Sequence, residues 1–313
     1  MAGNQAAIDA FQRAADLWAA RISDPIAVTI NIDMADLGSP NIIGQASSVS
    51  LQTGYTNMRS TLVADAAAEP DDAVVASLPT AAQFAAHLPT GFSLNGDLMS
   101  TKANLKAMGF AGLDTQFGAS DGTITFNSTF AFDFDNSNGV TANTMDFETV
   151  AAHEIGHILG FVSQVDTIDY YLNNNQPVAI APSALDLFRF DRLTGDNPDS
   201  LADFATDYRW LVPGSDAIFD QILAPWGTLL DAEIPMSTGR FNGDGWQASH
   251  WEYTELGLMR PALAYGQMVL PNEADFRALD LIGWDILPVP EPGAFSLMLT
   301  AALAALGLAR RRR

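Results

Sequence analysis

The chain has 313 residues, of which 48% are apolar, and its 37 acidic residues outnumber 15 basic ones to give a formal net charge of −22. This charge argues against nucleic-acid binding and against docking on anionic membranes, because too few cations are present to neutralise rows of phosphates. No cysteine occurs, which excludes disulfides, thiolate metal sites and a cysteine nucleophile.

The N-terminal residues predict a helix followed by a strand. In residues 1–22, apolar side chains recur at helical spacing among dispersed charges, which indicates an amphipathic helix packed on a core rather than a signal peptide. Residues 23–25, Ser-Asp-Pro, end this helix. Residues 26–34 then alternate apolar and polar side chains, the pattern of a half-buried strand. Residues 35–122 are rich in alanine, serine and glycine, and we place no element there.

The middle of the chain predicts a strand that leads into a helix. Residues 123–134, with the sequence TITFNSTFAFDF, put four phenylalanines on one face and predict one long strand. Residues 146–159 predict a helix that begins at Asp146 as N-cap and ends at Gly160. A last helix is predicted from Asn272 to Gly283.

The predicted central helix carries two histidines four residues apart, in the sequence VAAHEIGHILGF. His153 and His157 then lie one turn apart on one face, and both imidazoles can reach one zinc ion. Glu154 would sit beside the metal without binding it, where it can take a proton from zinc-bound water and pass it to a leaving amine. The flanking residues are apolar, and charged groups on a buried helix require a reason. The alternative is a pair of solvated helix-surface histidines.

The residues alone offer several candidates for a third zinc ligand. Ser163 stands where the most compact zinc-protease pattern has a histidine, and a hydroxyl is a poor zinc ligand. No glutamate occurs between His157 and Glu233, and Glu233 lies in a DAEIP sequence that we predict to be a loop. Asp166 is near in sequence but would have to fold back. His250 remains, with a surface histidine beside a core tryptophan as the alternative.

The surroundings of His250 resemble the leishmanolysin-like metzincins, in which a long insertion follows HExxHxxGF. In that family the third histidine stands in a Ser-His-Trp context, and a Leu-Met pair then forms the Met-turn beneath the zinc. This chain has Ser-His-Trp at 249–251, Leu-Met at 258–259 and Ile-Gly-Trp at 282–284. The resemblance covers roughly residues 123–285, and the chain departs from the family in having no cysteines and a slightly shorter stretch between His250 and Met259.

The resemblance implies a role for each matching residue. The zinc ligands would be His153, His157 and His250, with Glu154 as general base and Met259 as the Met-turn methionine. Simple core packing is the alternative for Met259.

The C-terminal segment, residues 287–313, differs in composition from the rest. LPVPEPG spans residues 287–293, an uncharged and mostly apolar run spans 294–309, and four arginines end the chain. This run predicts a membrane helix whose arginine end stays cytoplasmic, with a buried terminal helix as the alternative. The tail resembles the PEP-CTERM sorting signal of Gram-negative bacteria. That resemblance implies export, transient insertion in the inner membrane, cleavage by an exosortase near Val289-Pro290-Glu291-Pro292, and then secretion or surface display.

Two lesser features remain. Residues 132–139, FDFDNSNG, bring Asp133, Asp135, Ser137 and Asn138 together. Hard oxygen ligands suit Ca²⁺, although the spacing misses the EF-hand pattern and a solvated turn is the favoured interpretation. His87 has no partner motif and is interpreted as structural.

These observations predict an α+β, zincin- or metzincin-like fold with a twisted sheet. An N-terminal subdomain (1–165) would carry the HExxH helix, a C-terminal subdomain (166–286) the third histidine and Met-turn, and residues 287–313 the sorting tail. The predicted function is that of a secreted zinc metalloendopeptidase, which binds an extended protein or peptide substrate against a sheet edge. The alternative is a non-catalytic matrix or adhesion protein that retains the fold, and Glu154 argues against it because a binding protein needs no general base.

Overall fold

The computed structural model describes residues 4–69, 72–193, 197–220 and 233–288. Its α-helices are α1 (Gln5–Ala19), α2 (Tyr55–Asp65), α3 (Lys102–Ala107), α4 (Leu113–Phe117), α5 (Phe147–Leu159), α6 (Val165–Asn173), α7 (Leu201–Thr206) and α8 (Glu273–Leu281). Its strands are β1 (Ile30–Ala35), β2 (Gly44–Ser48), β3 (Ser50–Gly54), β4 (Ala86–His87), β5 (Ser93–Leu94), β6 (Asp97–Thr101), β7 (Gly122–Asn127), β8 (Phe132–Asp133), β9 (Met145–Asp146), β10 (Ala179–Ile180), β11 (Arg189–Asp191), β12 (Arg209–Trp210), β13 (Ala217–Asp220) and β14 (Glu233–Met236).

The strands form several small sheets. In one, β7 lies in the middle with β1 parallel on one side and β2 antiparallel on the other, so β2 is an edge strand among the described residues. Strands β11, β13 and β14 form a second three-stranded sheet, which is antiparallel. The remaining strands pair two by two. Helices and small sheets are thus mixed along the chain, and the zincin assignment stays a prediction.

The N-terminal helix is confirmed, but the strand after it begins later than predicted. In α1 the buried face consists of Ala7, Ala10, Ala14 and Trp18. Strand β1 starts at Ile30 rather than at residue 26, since pairing with β7 begins only there. Just before it, Thr29 pairs with Asp121 instead: the Thr29 N–H donates to the Asp121 carboxylate at 2.7 Å, and the Asp121 N–H donates to Thr29 O at 2.7 Å.

The single long strand predicted over residues 123–134 is wrong in its second half. Strand β7 ends at Asn127, whose side-chain oxygen accepts from the backbone N–H and the hydroxyl of Thr129 at 3.1 and 2.8 Å. These bonds turn the chain, because an asparagine side chain can replace the strand partner of the following backbone. Strand β8 follows and pairs with β9, not with β1 or β2.

Helix α5 has the predicted limits. Asp146 caps its first turn by accepting from the N–H and hydroxyl of Thr149 at 3.1 and 2.6 Å. Gly160 ends it with a φ of +125°, a conformation that side chains disfavour. Two buried indoles donate to its carbonyls, Trp18 to Ala152 at 2.9 Å and Trp284 to Leu159 at 2.7 Å. Helix α5 is therefore held in place by one residue near the start of the described chain and one near its end.

The last predicted helix is confirmed as α8, with Asn272 and Asp275 forming a reciprocal capping box. The prediction of a loop at Glu233 is wrong, because Glu233 begins strand β14 and pairs with Asp220 of β13. This strand contains a proline, Pro235. On the side away from β13, the described residues give β14 only an isolated bridge between Met236 and Trp251. Pro235 accepts there from the Glu252 N–H at 2.9 Å, and a proline is tolerated because no continuous ladder requires its missing N–H.

One buried apolar cluster contains residues from both sides of the predicted boundary at residue 165, among them Phe126, Phe161 and Trp251. The division into two subdomains stays a prediction. The predicted membrane helix at 294–309 lies outside the described residues. Within the described ranges, every helix is too short or too polar to cross a bilayer.

Candidate metal centre

Three histidine side chains converge at the end of α5. His153 Nε2 lies 3.2 Å from His157 Nε2 and 3.2 Å from His250 Nε2. The ligand atoms of all three lie within 4.8 Å of one another. His153 and His157 come from successive turns of α5, and His250 comes from the segment between β14 and α8. The structure thus brings together the three histidines that the sequence nominated.

The second nitrogen of each ring is bound by the backbone. His153 Nδ1 lies 2.8 Å from Leu258 O, His157 Nδ1 2.7 Å from Phe161 O, and His250 Nδ1 3.0 Å from Gln247 O. A carbonyl only accepts, so each Nδ1 carries the proton and each Nε2 directs a lone pair to the common point. This arrangement orients all three rings before any ion binds.

The donor set fits zinc. In a tetrahedral site with bonds of about 2.0–2.1 Å, two ligand nitrogens lie roughly 3.3–3.4 Å apart, close to the 3.2 Å separations seen here. Burial lowers the pKa of His153, lowers that of His157 to about 3, and lowers that of His250 well below its usual range. The rings are therefore neutral at physiological pH, which is the form that binds metal.

Glu154 lies beside this point and is only 6% exposed. The Ala46 N–H of β2 donates to its carboxylate, and burial raises its pKa to about 8. Gly44 of the same strand leaves room for it, because a β-carbon there would lie 2.8 Å from Glu154 Oε1 and 3.0 Å from Val150 Cγ1. Neither Gly44 nor Ala46 was predicted, since their small side chains give no local signal.

Asp166 holds the third histidine's segment and is not part of the histidine group. Its carboxylate accepts from the N–H groups of Ala248 and Ser249 at 2.6 and 3.1 Å, and from the Ser249 hydroxyl. Burial raises its pKa to about 6. Both oxygens are thereby engaged with the residues just before His250, so the geometry favours His250 over Asp166 as third ligand.

Ser163 likewise forms its hydrogen bonds with residues other than the three histidines. Its hydroxyl donates to Asp186 at 2.6 Å, and its N–H donates to the Ser249 hydroxyl at 2.8 Å. Asp186 also accepts from the N–H groups of Gln164 and Ser183. Ser163 therefore helps to position the chain after α5.

Met259 is fully buried and lies against Gly156, the glycine between the two α5 histidines. Asp275 of α8 fixes this turn by accepting from the N–H groups of Leu258 and Met259 at 2.8 and 3.1 Å. It also accepts from the Trp251 indole at 2.8 Å. Asp275 thus connects the residue after His250 to the turn of Met259. The sequence did not predict this role, because it indicated only a helix that begins at Asn272.

A cleft of about 1100 Å³ opens over the histidines. Residues 39–50, including β2, form one wall, α5 forms the floor, and segments 245–250 and 258–269 contribute the other side. The Ala46 N–H faces Glu154 rather than β7. Because backbone groups alternate along an antiparallel strand, Gly44, Ala46 and Ser48 direct theirs away from β7 and into the cleft.

The two lesser candidates lie elsewhere. His87 packs on the rings of Trp210 and Tyr208, with centroids at 4.4 and 5.0 Å. In residues 132–139 the carboxylates of Asp133 and Asp135 accept backbone N–H groups of the loop, as in a tight turn. No three-carboxylate group forms there among the described residues, so calcium binding stays a prediction that the geometry does not favour.

Comparison with known proteins identifies the tail alone. Residues 288–313 match the PEP-CTERM protein-sorting motif. This motif marks a protein for export, C-terminal membrane anchoring and processing by an exosortase-type enzyme. No curated protein and no solved structure matches the chain.

Proposed function

We propose that this chain is an exported zinc-dependent endopeptidase of the leishmanolysin-like metzincin type, with His153, His157 and His250 as the metal ligands. One observation carries the proposal. Three Nε2 lone pairs point to one place at zinc-like spacing, while each Nδ1 is held by a backbone carbonyl. Histidines packed by chance in a core have no reason to share this arrangement.

Zinc bound at this place would act as a Lewis acid and lower the pKa of a bound water. Glu154 is next to His153 in the chain, is not among the converging nitrogens and is held by Ala46. It would act as general base, taking a proton from the water and returning it to the leaving amine.

The burial of Glu154 favours a catalytic role for the protein over a purely adhesive one. Placing a carboxylate in a largely dehydrated site lowers stability, so its presence there favours a functional role. Gly44 is needed to accommodate it. A matrix or adhesion protein would gain stability from an apolar residue at this position.

The β2 edge supports an extended peptide as substrate. Backbone groups of Gly44, Ala46 and Ser48 face the cleft, and β2 pairs only with β7 among the described residues. A peptide in extended conformation would pair with this edge and cross the floor beside Glu154.

The test measures metal content and hydrolysis separately. Full-length protein should bind about one zinc per chain and hydrolyse a casein-type substrate, and a chelator should abolish the hydrolysis. Glu154→Gln should retain zinc and lose hydrolysis. Glu148→Gln is the matched control, because Glu148 lies on the same helix but pairs with Arg13 at 2.8 Å. Equal activity of the Glu154 variant and this control would refute the proposal.

A further inference from the structure

The cleft contains two cationic side chains for which the described residues provide no anion. The described residues include eleven lysines and arginines, and nine of these form hydrogen bonds or ion pairs within the protein. The nine are Arg13, Arg21, Arg59, Lys102, Lys106, Arg189, Arg192, Arg209 and Arg277. Arg240 and Arg260 form neither kind of contact with any described residue, and both line the cleft.

Of the two arginines, Arg260 gives the stronger evidence for a ligand site. Its Nε is buried and has no hydrogen-bond partner within the described part of the chain. An unpaired buried donor lowers stability, and it does so more strongly on a charged group. Arg260 directly follows Met259, whose N–H is fixed by Asp275, so its backbone is held in place. A guanidinium that lines a cleft and has a buried, unused donor is suited to a ligand that accepts hydrogen bonds.

The carboxylates of the cleft do not neutralise these arginines. Among the described residues, Glu154 and Asp166 are the only carboxylates that line it, and they accept from Ala46 and from residues 248–249 respectively. Arg240 is exposed, and its guanidinium lies over the ring of Phe241, 5.8 Å from the centroid. In a chain with a net charge of −22, two unneutralised cations in one cleft create a local field of opposite sign.

We propose that Arg260, assisted by Arg240, binds a carboxylate of the substrate, so that the cleft selects acidic peptides. This inference rests on the proposed peptidase function and adds its substrate class. A guanidinium presents two parallel N–H groups that match the two oxygens of a carboxylate, which an ammonium group does not. The carboxylate belongs either to an aspartate or glutamate side chain or to the C-terminus of the peptide.

The experiment uses the zinc-supplemented full-length protein and a neutral peptide that it cleaves. Glutamate replaces glutamine at each position in turn, and a second series replaces the C-terminal acid with an amide. Glutamate at one position should raise kcat/KM by at least about tenfold, or amidation should lower it as much. The series that responds identifies the source of the carboxylate. A wild-type protein that responds to neither series overturns the inference.

Three variants assign the preference to its residue. Arg260→Gln should reduce the acidic-to-neutral ratio to near one, whereas Arg260→Lys should retain part of it. Arg192→Gln is the matched control, because Arg192 pairs with Glu252 at 3.8 Å and does not line the cleft. An unchanged ratio in Arg260→Gln, or an equal loss in the Arg192 control, would overturn the assignment.

Binding to the Glu154→Gln protein separates this inference from the proposed function. Calorimetric titration should show that the acidic peptide binds at least about tenfold more tightly than its neutral analogue, with the difference lost in the Arg260→Gln double variant. Such binding without hydrolysis by the wild type would refute the peptidase and leave carboxylate recognition standing. Hydrolysis with equal binding of both peptides would refute carboxylate recognition alone.

Discussion

Met259 lies directly against Gly156, so closely that a β-carbon on Gly156 would overlap the Met259 sulfur. Gly156 is in the middle of α5, one residue before His157. The absence of a side chain there lets the turn at Met259 approach the helix that carries both histidines. The packing of a methionine under the candidate metal centre thus depends on a glycine in a helix, where glycine is otherwise unfavourable.

Gly156→Ala should destabilise the protein by about 1–3 kcal/mol through overpacking. In an ordinary helix the same change would stabilise by roughly 1 kcal/mol, so the sign of the effect is diagnostic. Urea unfolding measures it. The cost should shrink in a Met259→Ala background, because the overlapping sulfur is gone. A stabilised single variant would show that the two residues are not tightly packed.

His250→Ala should lower zinc affinity by at least about 100-fold and remove hydrolysis, because two histidines hold zinc far more weakly than three. His87→Ala provides the matched control, since His87 packs on Trp210 away from the cleft. Competition with a chromophoric chelator measures the affinity. Retention of tight zinc binding by the His250 variant would remove it from the ligand set.

Asp166→Asn should weaken zinc binding by about tenfold, because its carboxylate orients the residues just before a ligand. Asp169→Asn is a close control on the same helix, since Asp169 accepts from the N–H groups of Phe241 and Asn242, which lie away from the histidines. The two variants are compared by metal titration. If Asp166→Asn strips the metal and His250→Ala does not, Asp166 is the ligand and the leishmanolysin-like interpretation must be abandoned.

Asp65→Asn should stabilise the protein at high pH. Burial and, to a smaller extent, the charges of Asp285, Asp24 and Asp72 together raise the pKa of Asp65 to about 7. The folded state thus binds this proton more tightly than the unfolded state, so the stabilisation is complete below about pH 4 and is lost as the pH rises through about 7.

The Asp65 variant should therefore exceed the wild type in unfolding free energy by about 1 kcal/mol at pH 8, a figure reduced for solvent screening, and lose this advantage at about pH 4. Urea unfolding at both pH values measures the difference. Asp9→Asn, on the exposed face of α1, should show no such pH-dependent change. A constant difference between Asp65→Asn and wild type would contradict the prediction.

A chain that ends at residue 288 should fold and bind zinc like the full chain. It keeps the contacts of the last described segment, in which the Leu287 N–H donates to Arg21 O at 2.7 Å and Ile286 pairs with Ile22. Ending the chain at Gly283 should cost about 3–5 kcal/mol, because it removes the buried Trp284. Circular dichroism and urea unfolding compare the two. Failure of the longer form to fold would support a buried role for the tail.

The elements that the sequence predicted well are those with coinciding local signals. Helix α5 combines a capping aspartate, an apolar face and a terminal glycine, and α8 combines Asn272 with a capping box. The two histidines of α5 follow from helical spacing alone. His250 needed a family resemblance, since 93 positions separate it from His157 and no local pattern connects them.

The features that the sequence did not predict depend on contacts between distant segments. Strand β2, with the sequence GQASS, has no large apolar residue, and it is a strand because β7 pairs with it and Gly44 fits against Glu154. Asp166 and Asp275 look like ordinary surface or capping acids until the chain folds back on them. The unpaired state of Arg260 likewise becomes visible only when its neighbours are known.

The long stretch of sequence between His153 and His250 bears on the folding stability of this exported, cysteine-free protein. An ion bound to both would join points 97 residues apart. A covalent bridge across a loop of that length restricts the unfolded chain by about 4–5 kcal/mol. The metal would thus serve as the crosslink that many exported proteins obtain from disulfides, and a chelator would act on this chain as a reductant acts on those.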